Sequence, residues 1–173
     1  ADLCILSAGY WEQMSADDWD TERFNRPVQV NLTGMSNAIG AVLPEMLARR
    51  SGVIAGISSV AGYRGLSGSE AYGATKAGQI NLLESLRVHV ARNGVRVITV
   101  CPGFVRTELT AGNAFPMPVM IDADPAGRAL CAGPERNRPA ILFPVRRPLL
   151  LEAAPLRPVH PRPRSRPPSS SWS

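Results

Sequence analysis

Val53-Ile54-Ala55-Gly56-Ile57-Ser58-Ser59, followed twelve residues later by Ala71-Tyr72-Gly73-Ala74-Thr75-Lys76, is the stretch on which the reading of the fold turns. Its first part is a β-branched run that ends in hydroxyls and meets the turn signal Ala61-Gly62, so it predicts a strand opening into a loop. Its second part predicts a helix from about Ser69 to Asn93, stopped by Asn93-Gly94. The four-residue spacing places the phenol of Tyr72 and the ammonium of Lys76 on one helix face. A free tyrosine has a pKa of about 10, and a neighbouring cation stabilises its phenolate, so Lys76 is expected to bring Tyr72 down into a usable range. Lys76 is the only lysine among nineteen basic residues. A guanidinium keeps its proton in a protein, whereas an ammonium is a compact charge with three donors that can join a proton relay. A bare Tyr-x-x-x-Lys also describes a core aromatic beside a solvated lysine, so the flanking elements have to decide.

Working outward, Leu3-Cys4-Ile5-Leu6 runs into Ser7-Ala8-Gly9, and Val95 to Cys101 runs into Pro102-Gly103-Phe104-Val105-Arg106-Thr107. Both read as strands ending in loops, and Pro139 to Phe143 reads as the last strand. In an open parallel α/β sheet the carboxyl ends of strands border the ligand crevice, so a serine there can hydrogen-bond a reacting oxygen. Alternation along the strand does not choose between Ser58 and Ser59. Thr21 to about Arg50 predicts one long helix or two in series, capped at Asp20 or Thr21. Val30, Met35, Ile39, Val42, Leu43, Met46 and Leu47 form its apolar stripe, with Pro27 and Pro44 disturbing its regularity. Asp122 to Cys131 predicts a short helix. Leu109 to Met120, with Phe115, Met117, Val119 and Met120, predicts an apolar lid or pocket wall.

Taken together, residues 1–143 resemble the C-terminal two thirds of a short-chain dehydrogenase/reductase, a family of NAD(P)-dependent oxidoreductases. The resemblance rests on Ser7-Ala8-Gly9 where the family has Asn-Ala-Gly, Asn31 in Val30-Asn31-Leu32-Thr33-Gly34, Ser59 thirteen residues before Tyr72, Tyr72 with Lys76, and Pro102-Gly103 with Thr107. It implies a partial Rossmann-like, doubly wound parallel sheet, corresponding to strands 4 to 7 of the family fold. It implies that Tyr72 is the general acid or base and that Ser59 holds the reacting oxygen. Lys76 would tune the tyrosine and bind the nicotinamide ribose, and Asn31, at an irregularity in its helix, would hold a water serving Lys76. The cofactor, NAD or NADP, would touch Ser7, Ala8, Gly9, Tyr72, Lys76, Pro102, Gly103, Val105 and Thr107. The substrate would be a small alcohol or carbonyl compound, and the protein a homodimer or homotetramer assembled through the helices bearing Asn31 and Tyr72. Ser7 in place of asparagine puts that side chain's usual strand-tying contact in doubt. The chain also contains no glycine-rich phosphate loop, so nothing in it grips a pyrophosphate or separates NAD from NADP. The expectation is therefore of part of a longer enzyme, with an open edge at Leu3–Leu6 and little activity of its own. The competing function class is a noncatalytic remnant of the fold that acts through helix association.

Composition narrows the rest. The 173 residues, 45% of them hydrophobic, suffice for one domain. Cys4, Cys101 and Cys131 lack metal-ligand spacing and fit reduced thiols in the cytoplasm, and the single histidines His89 and His160 have no partner ligands nearby in sequence. No run is long enough to span a membrane. The net charge of +5 does not point to nucleic acid, because residues 1–143 hold thirteen basic and thirteen acidic side chains. The excess lies in 144–173, which carries six arginines and half of the sixteen prolines, and reads as a disordered tail.

Overall fold

In the computed structural model, which describes residues 1–111, 117, 120–135 and 139–143, four parallel strands stand in chain order: β1 (Leu3–Leu6), β2 (Gly52–Ile57), β3 (Val95–Pro102) and β4 (Ala140–Phe143). Leu3 pairs with Val53, Val53 with Arg96, and Thr99 with Ala140. Residues 53–56 of β2 and 97–101 of β3 are buried on both sides, which is why these strands read as continuous apolar runs. Their side chains alternate between two core layers. Ile54, Val95 and Val97 face Met35, Ile39, Met46 and Leu83, whereas Val53, Ala55, Ile98 and Val100 face Ala126, Ile141 and Phe143. Helices therefore cover both faces of the sheet, as expected of a doubly wound fold.

The predicted helix from Thr21 is three segments in series: α1 (Thr21–Pro27), a π-wound turn (Val28–Thr33) and α2 (Gly34–Ala48). Asp20 caps α1 by accepting from the backbone N–H groups of Glu22 at 2.8 Å and Arg23 at 3.2 Å. Pro27 has no N–H to return to the preceding turn and its ring crowds it, a local reason for the winding to change immediately afterwards. The wider turn also corrects the expected apolar stripe. Met35, Ile39 and Met46 are buried as expected, but Val30, inside the π turn, points outward and is 37% exposed.

Helix α3 (Glu70–Val90) carries Tyr72 and Lys76 and ends through a short 3₁₀ turn at Gly94, whose φ of 74° is the left-handed stop anticipated from Asn93-Gly94. It lies close to the sheet because Gly56 has no side chain: a Cβ there would come within 2.5 Å of Leu83 Cδ1. On α3, Arg87 donates to the Val97 carbonyl at 2.8 Å and to Thr99 Oγ1 at 2.5 Å, satisfying the edge of β3. Helix α4 (Glu108–Ala111) is one turn, and α5 (Ala123–Glu135) is longer than the expected Asp122–Cys131 segment. On β1, Leu3 and Ile5 are 44% and 43% exposed on the face opposite Leu6, leaving that strand half-covered. Phe115 and Val119 of the expected lid, His160, and the tail from residue 144 lie outside the described residues. Among the described residues no helix is long and apolar enough to cross a membrane.

Gly56→Ala is expected to destabilise the fold by ~1–3 kcal/mol through overpacking against Leu83. Leu83→Val in the same chain should restore part of that loss, so that urea midpoints of the double variant fall short of the sum of the singles. Strict additivity would mean that the two positions do not share one contact.

Candidate active site

Three strands deliver their carboxyl ends to one region. From β2 come Ser58 and Ser59, from β3 Pro102 and Gly103, and from β1 Ser7, Ala8 and Gly9. The structure separates the two serines. Ser58 is buried, its N–H donating to the Val100 carbonyl at 2.7 Å and its hydroxyl to the Lys76 carbonyl at 2.8 Å, so it fastens the strand end to α3. Ser59 instead opens a 3₁₀ turn (Val60–Gly62), accepts the Ala61 N–H at 3.1 Å, and stands beside the Tyr72 phenol, whose charged form it favours. The loop after Ser59 packs tightly on α3, since a Cβ on Gly62 would lie 2.7 Å from the Lys76 carbonyl carbon.

Lys76 is only 3% exposed. Its Nζ donates to the Ile57 carbonyl at 3.0 Å and stands 5.4 Å from the centroid of the Tyr72 ring, a cation–π distance. Burial lowers its pKa from the ordinary 10.5 to about 8, with nearby Cys101 acting in the opposite sense. The expected depression of Tyr72 is not what this geometry gives. Burial raises the phenol above its usual range, and Ser59 only partly offsets it. The ammonium sits against the ring face and engages Ile57, so desolvation outweighs the cation.

Asn31 lies in the π-wound turn, at the irregularity expected of it, and is fully buried. Its Oδ1 accepts the Tyr10 N–H at 2.7 Å, and its Nδ2 donates to the Tyr10 carbonyl at 2.9 Å and to Thr75 Oγ1 at 3.0 Å. It is thus a brace between the end of β1 and α3. Gly9, next to Tyr10, lies over the lysine: a Cβ there would stand 3.8 Å from Lys76 Nζ. Ser7 and Ala8 border a cavity of about 180 Å³ with Gly34, Met35 and Ala38. Gly103 N–H donates to the Phe143 carbonyl at 2.8 Å, Val105 bridges Ile121, and Thr107 is exposed, its N–H donating to Thr110 Oγ1 at 3.0 Å. The region therefore contains Asn31, Ser59, Tyr72 and Lys76, with the Pro102–Thr107 segment leaving from the adjoining strand end.

Similarity agrees with this geometry. Residues 1–115 match the family model described as short chain dehydrogenase. The chain belongs to the short-chain dehydrogenase family. An uncharacterized oxidoreductase of Myxococcus xanthus is 41% identical over 143 residues, covering 83% of this chain and 56% of that protein. The chain thus spans about half the length of curated relatives that it matches. Among solved structures, a short chain dehydrogenase from Burkholderia cenocepacia J2315 in complex with NADP superposes with a TM-score of 0.73 at 27% identity, covering 81% of this chain and 60% of that one. A 4-hydroxyisoleucine dehydrogenase complexed with NADH gives 0.59 at 27% identity, covering 62% and 48%.

Three contacts escaped the sequence reading: Thr75 and Gln79 as partners of Asn31, and Tyr63, whose hydroxyl donates to Cys101 Sγ at 3.5 Å. Gln79 had a visible signal, since it lies three and seven residues from Lys76 and Tyr72 on one helix face and is polar within a buried stripe. Tyr63 had none, because its partner is distant in sequence. Cys4 is half-buried, Cys101 buried and Cys131 exposed, all three as free thiols. Among the described residues no group of three or more His, Cys, Asp or Glu side chains is placed to hold a metal ion.

Because Lys76 is the only lysine, lysine-selective ¹³C labelling yields a single titrating signal, expected at a midpoint of about 8. Its unfolded counterpart titrates near 10.5, so between those values the unfolded chain binds more protons and stability rises with pH, by about 3 kcal/mol at most. Below pH 8 both states are protonated and the contribution is flat. A midpoint above 10 would place Lys76 in water.

Proposed function

We propose that the whole protein is an NAD(P)-dependent oxidoreductase that interconverts a secondary alcohol and a carbonyl compound, with Tyr72 as the proton donor and acceptor. The observation that carries this reading is the convergence of Ser59, Tyr72 and the buried ammonium of Lys76 beyond the carboxyl ends of β2 and β3. A phenol that burial keeps protonated is suited to give its proton to a carbonyl oxygen as that oxygen gains charge. Ser59, beside Tyr72, holds the same oxygen and orients it. When an alcohol is oxidised instead, its hydroxyl proton passes to the phenolate of Tyr72, a charge that Ser59 and the Lys76 ammonium stabilise beforehand.

Lys76 spends one of its three N–H groups on Ile57, leaving two for ribose hydroxyls. Gly9 keeps the approach to that ammonium free of a side chain, and Pro102, Gly103, Val105 and Thr107 form the opposite wall, with Ser7 and Ala8 at the end of β1. These residues fit a bound nicotinamide, whose chemistry there is to give or take the hydride at carbon. Asn31 keeps this frame rigid through Tyr10 and Thr75. The helices α2 and α3 serve a homodimer or homotetramer, and the three free thiols suit a reducing, cytoplasmic setting. The substrate is a small molecule; nucleic acid has no part in this reading.

Tyr72→Phe in the whole protein is expected to lower turnover of secondary alcohols or ketones by about 10²–10⁴-fold. NADH or NADPH affinity, read by nicotinamide fluorescence, should change little. Turnover as fast as the parent's would remove the proposed proton transfer.

A further inference from the structure

Gln79 has no exposed surface, and its Nε2 donates to the main-chain carbonyl of Asn31 at 2.6 Å. Its Oε1 has no hydrogen-bond partner among the described residues. The orientation of the amide is fixed, because turning it over would set Oε1 against the Asn31 oxygen. A buried acceptor of this kind is costly when it goes unpaired, and an aliphatic side chain of the same size would incur none of that cost. What the amide provides in return is the bond to Asn31. That bond lies at the π-wound turn, one helical turn beyond Lys76, and it works with Thr75, which takes the Asn31 side chain at 3.0 Å. Asn31 in turn grips both main-chain groups of Tyr10, whose neighbour Gly9 lies close to the Lys76 ammonium. Gln79 therefore connects through Asn31 to the segment beside the Lys76 ammonium.

We infer that Gln79 is a positioning residue: its carboxamide locks the Asn31 carbonyl and the π-wound turn onto α3, and so holds the Gly9–Tyr10 segment over Lys76. The inference rests on the proposed role of the Tyr72–Lys76 pair for its meaning, but its test needs no turnover, so the two readings fail separately. Tyr72 on the same helix and Cys101 from β3 are the titratable groups that face Lys76, and neither is altered in the test.

The test is Gln79→Met, which keeps approximate volume and helix propensity while removing donor and acceptor. Two readings are taken on the chain: the ¹³C titration of its only lysine, and hydrogen exchange of the backbone amides of residues 30–34. The lock predicts that the Lys76 midpoint moves up by about one pH unit as water reaches the ammonium, and that exchange in the π turn quickens at least about tenfold. Gln79→Glu should behave like the parent while its buried carboxyl is protonated and can still donate to Asn31, and like Gln79→Met once it ionises. An unmoved lysine midpoint with unchanged exchange in Gln79→Met would reduce Gln79 to a packing residue and overturn the inference. Should that variant not fold, the parent chain decides alone: slow exchange of the two Gln79 Nε2 protons supports the lock, and exchange as fast as that of a solvated amide refutes it.

Discussion

One buried ammonium sets the terms for the surrounding structure. Lys76 is inside the protein, at the edge of the sheet, and its Nζ donates at 3.0 Å to the last carbonyl of β2. Keeping a cation there is unfavourable, as its lowered pKa registers, and the neighbouring elements follow from that constraint. Ser58 fixes the helix backbone at Lys76 to the strand end, Gly62 lets the next loop lie against the same carbonyl group, and Gly9 leaves room above the amine. A side chain at Gly62 would push away an element on which the position of the ammonium depends.

Much of the fold was legible because periodicity carried it. The buried runs 53–56 and 97–101 announced strands covered on both faces, and the left-handed Gly94 announced the end of α3. The site was legible where spacing along one element brings groups together, as with Tyr72 and Lys76. What escaped were contacts between elements. Val30 was assigned to the core by a 3.6-residue period, but the π-wound turn breaks that period and turns the side chain outward. Ser58 and Ser59 could not be distinguished by alternation because both follow the last residue of β2, where regular strand geometry ends. The sign of the Tyr72 shift was misjudged for a related reason: sequence spacing reports that a cation is near, but not how dry the phenol is or where the cation points.

That sign also bears on the chemistry. A tyrosine raised by burial and a lysine lowered by it move apart in proton affinity, so the phenol holds its proton more firmly than the neighbouring amine does. The cation that spacing alone would assign to stabilising a phenolate in the resting site is instead partly committed to Ile57.

Polar burial is concentrated on one side of α3. Asn31, Thr75, Lys76 and Gln79 are all buried, within a layer whose other members, Leu83 and Val90, are apolar. Replacing the four by hydrocarbon would relieve several desolvation costs at once, but each of them also satisfies a neighbour: Thr75 takes the Asn31 amide, Asn31 takes both groups of Tyr10, Gln79 takes the Asn31 carbonyl, and Lys76 takes the Ile57 carbonyl. Removing one member leaves its neighbour buried and unpaired, which is worse than removing the pair. The cluster is therefore cooperative, and the π-wound turn belongs to it: a regular helix at residues 28–33 would rotate Asn31 relative to both Tyr10 and α3. The irregularity begun by Pro27 is thus what allows one asparagine to reach the end of β1 with its side chain and α3 with both its side chain and its backbone.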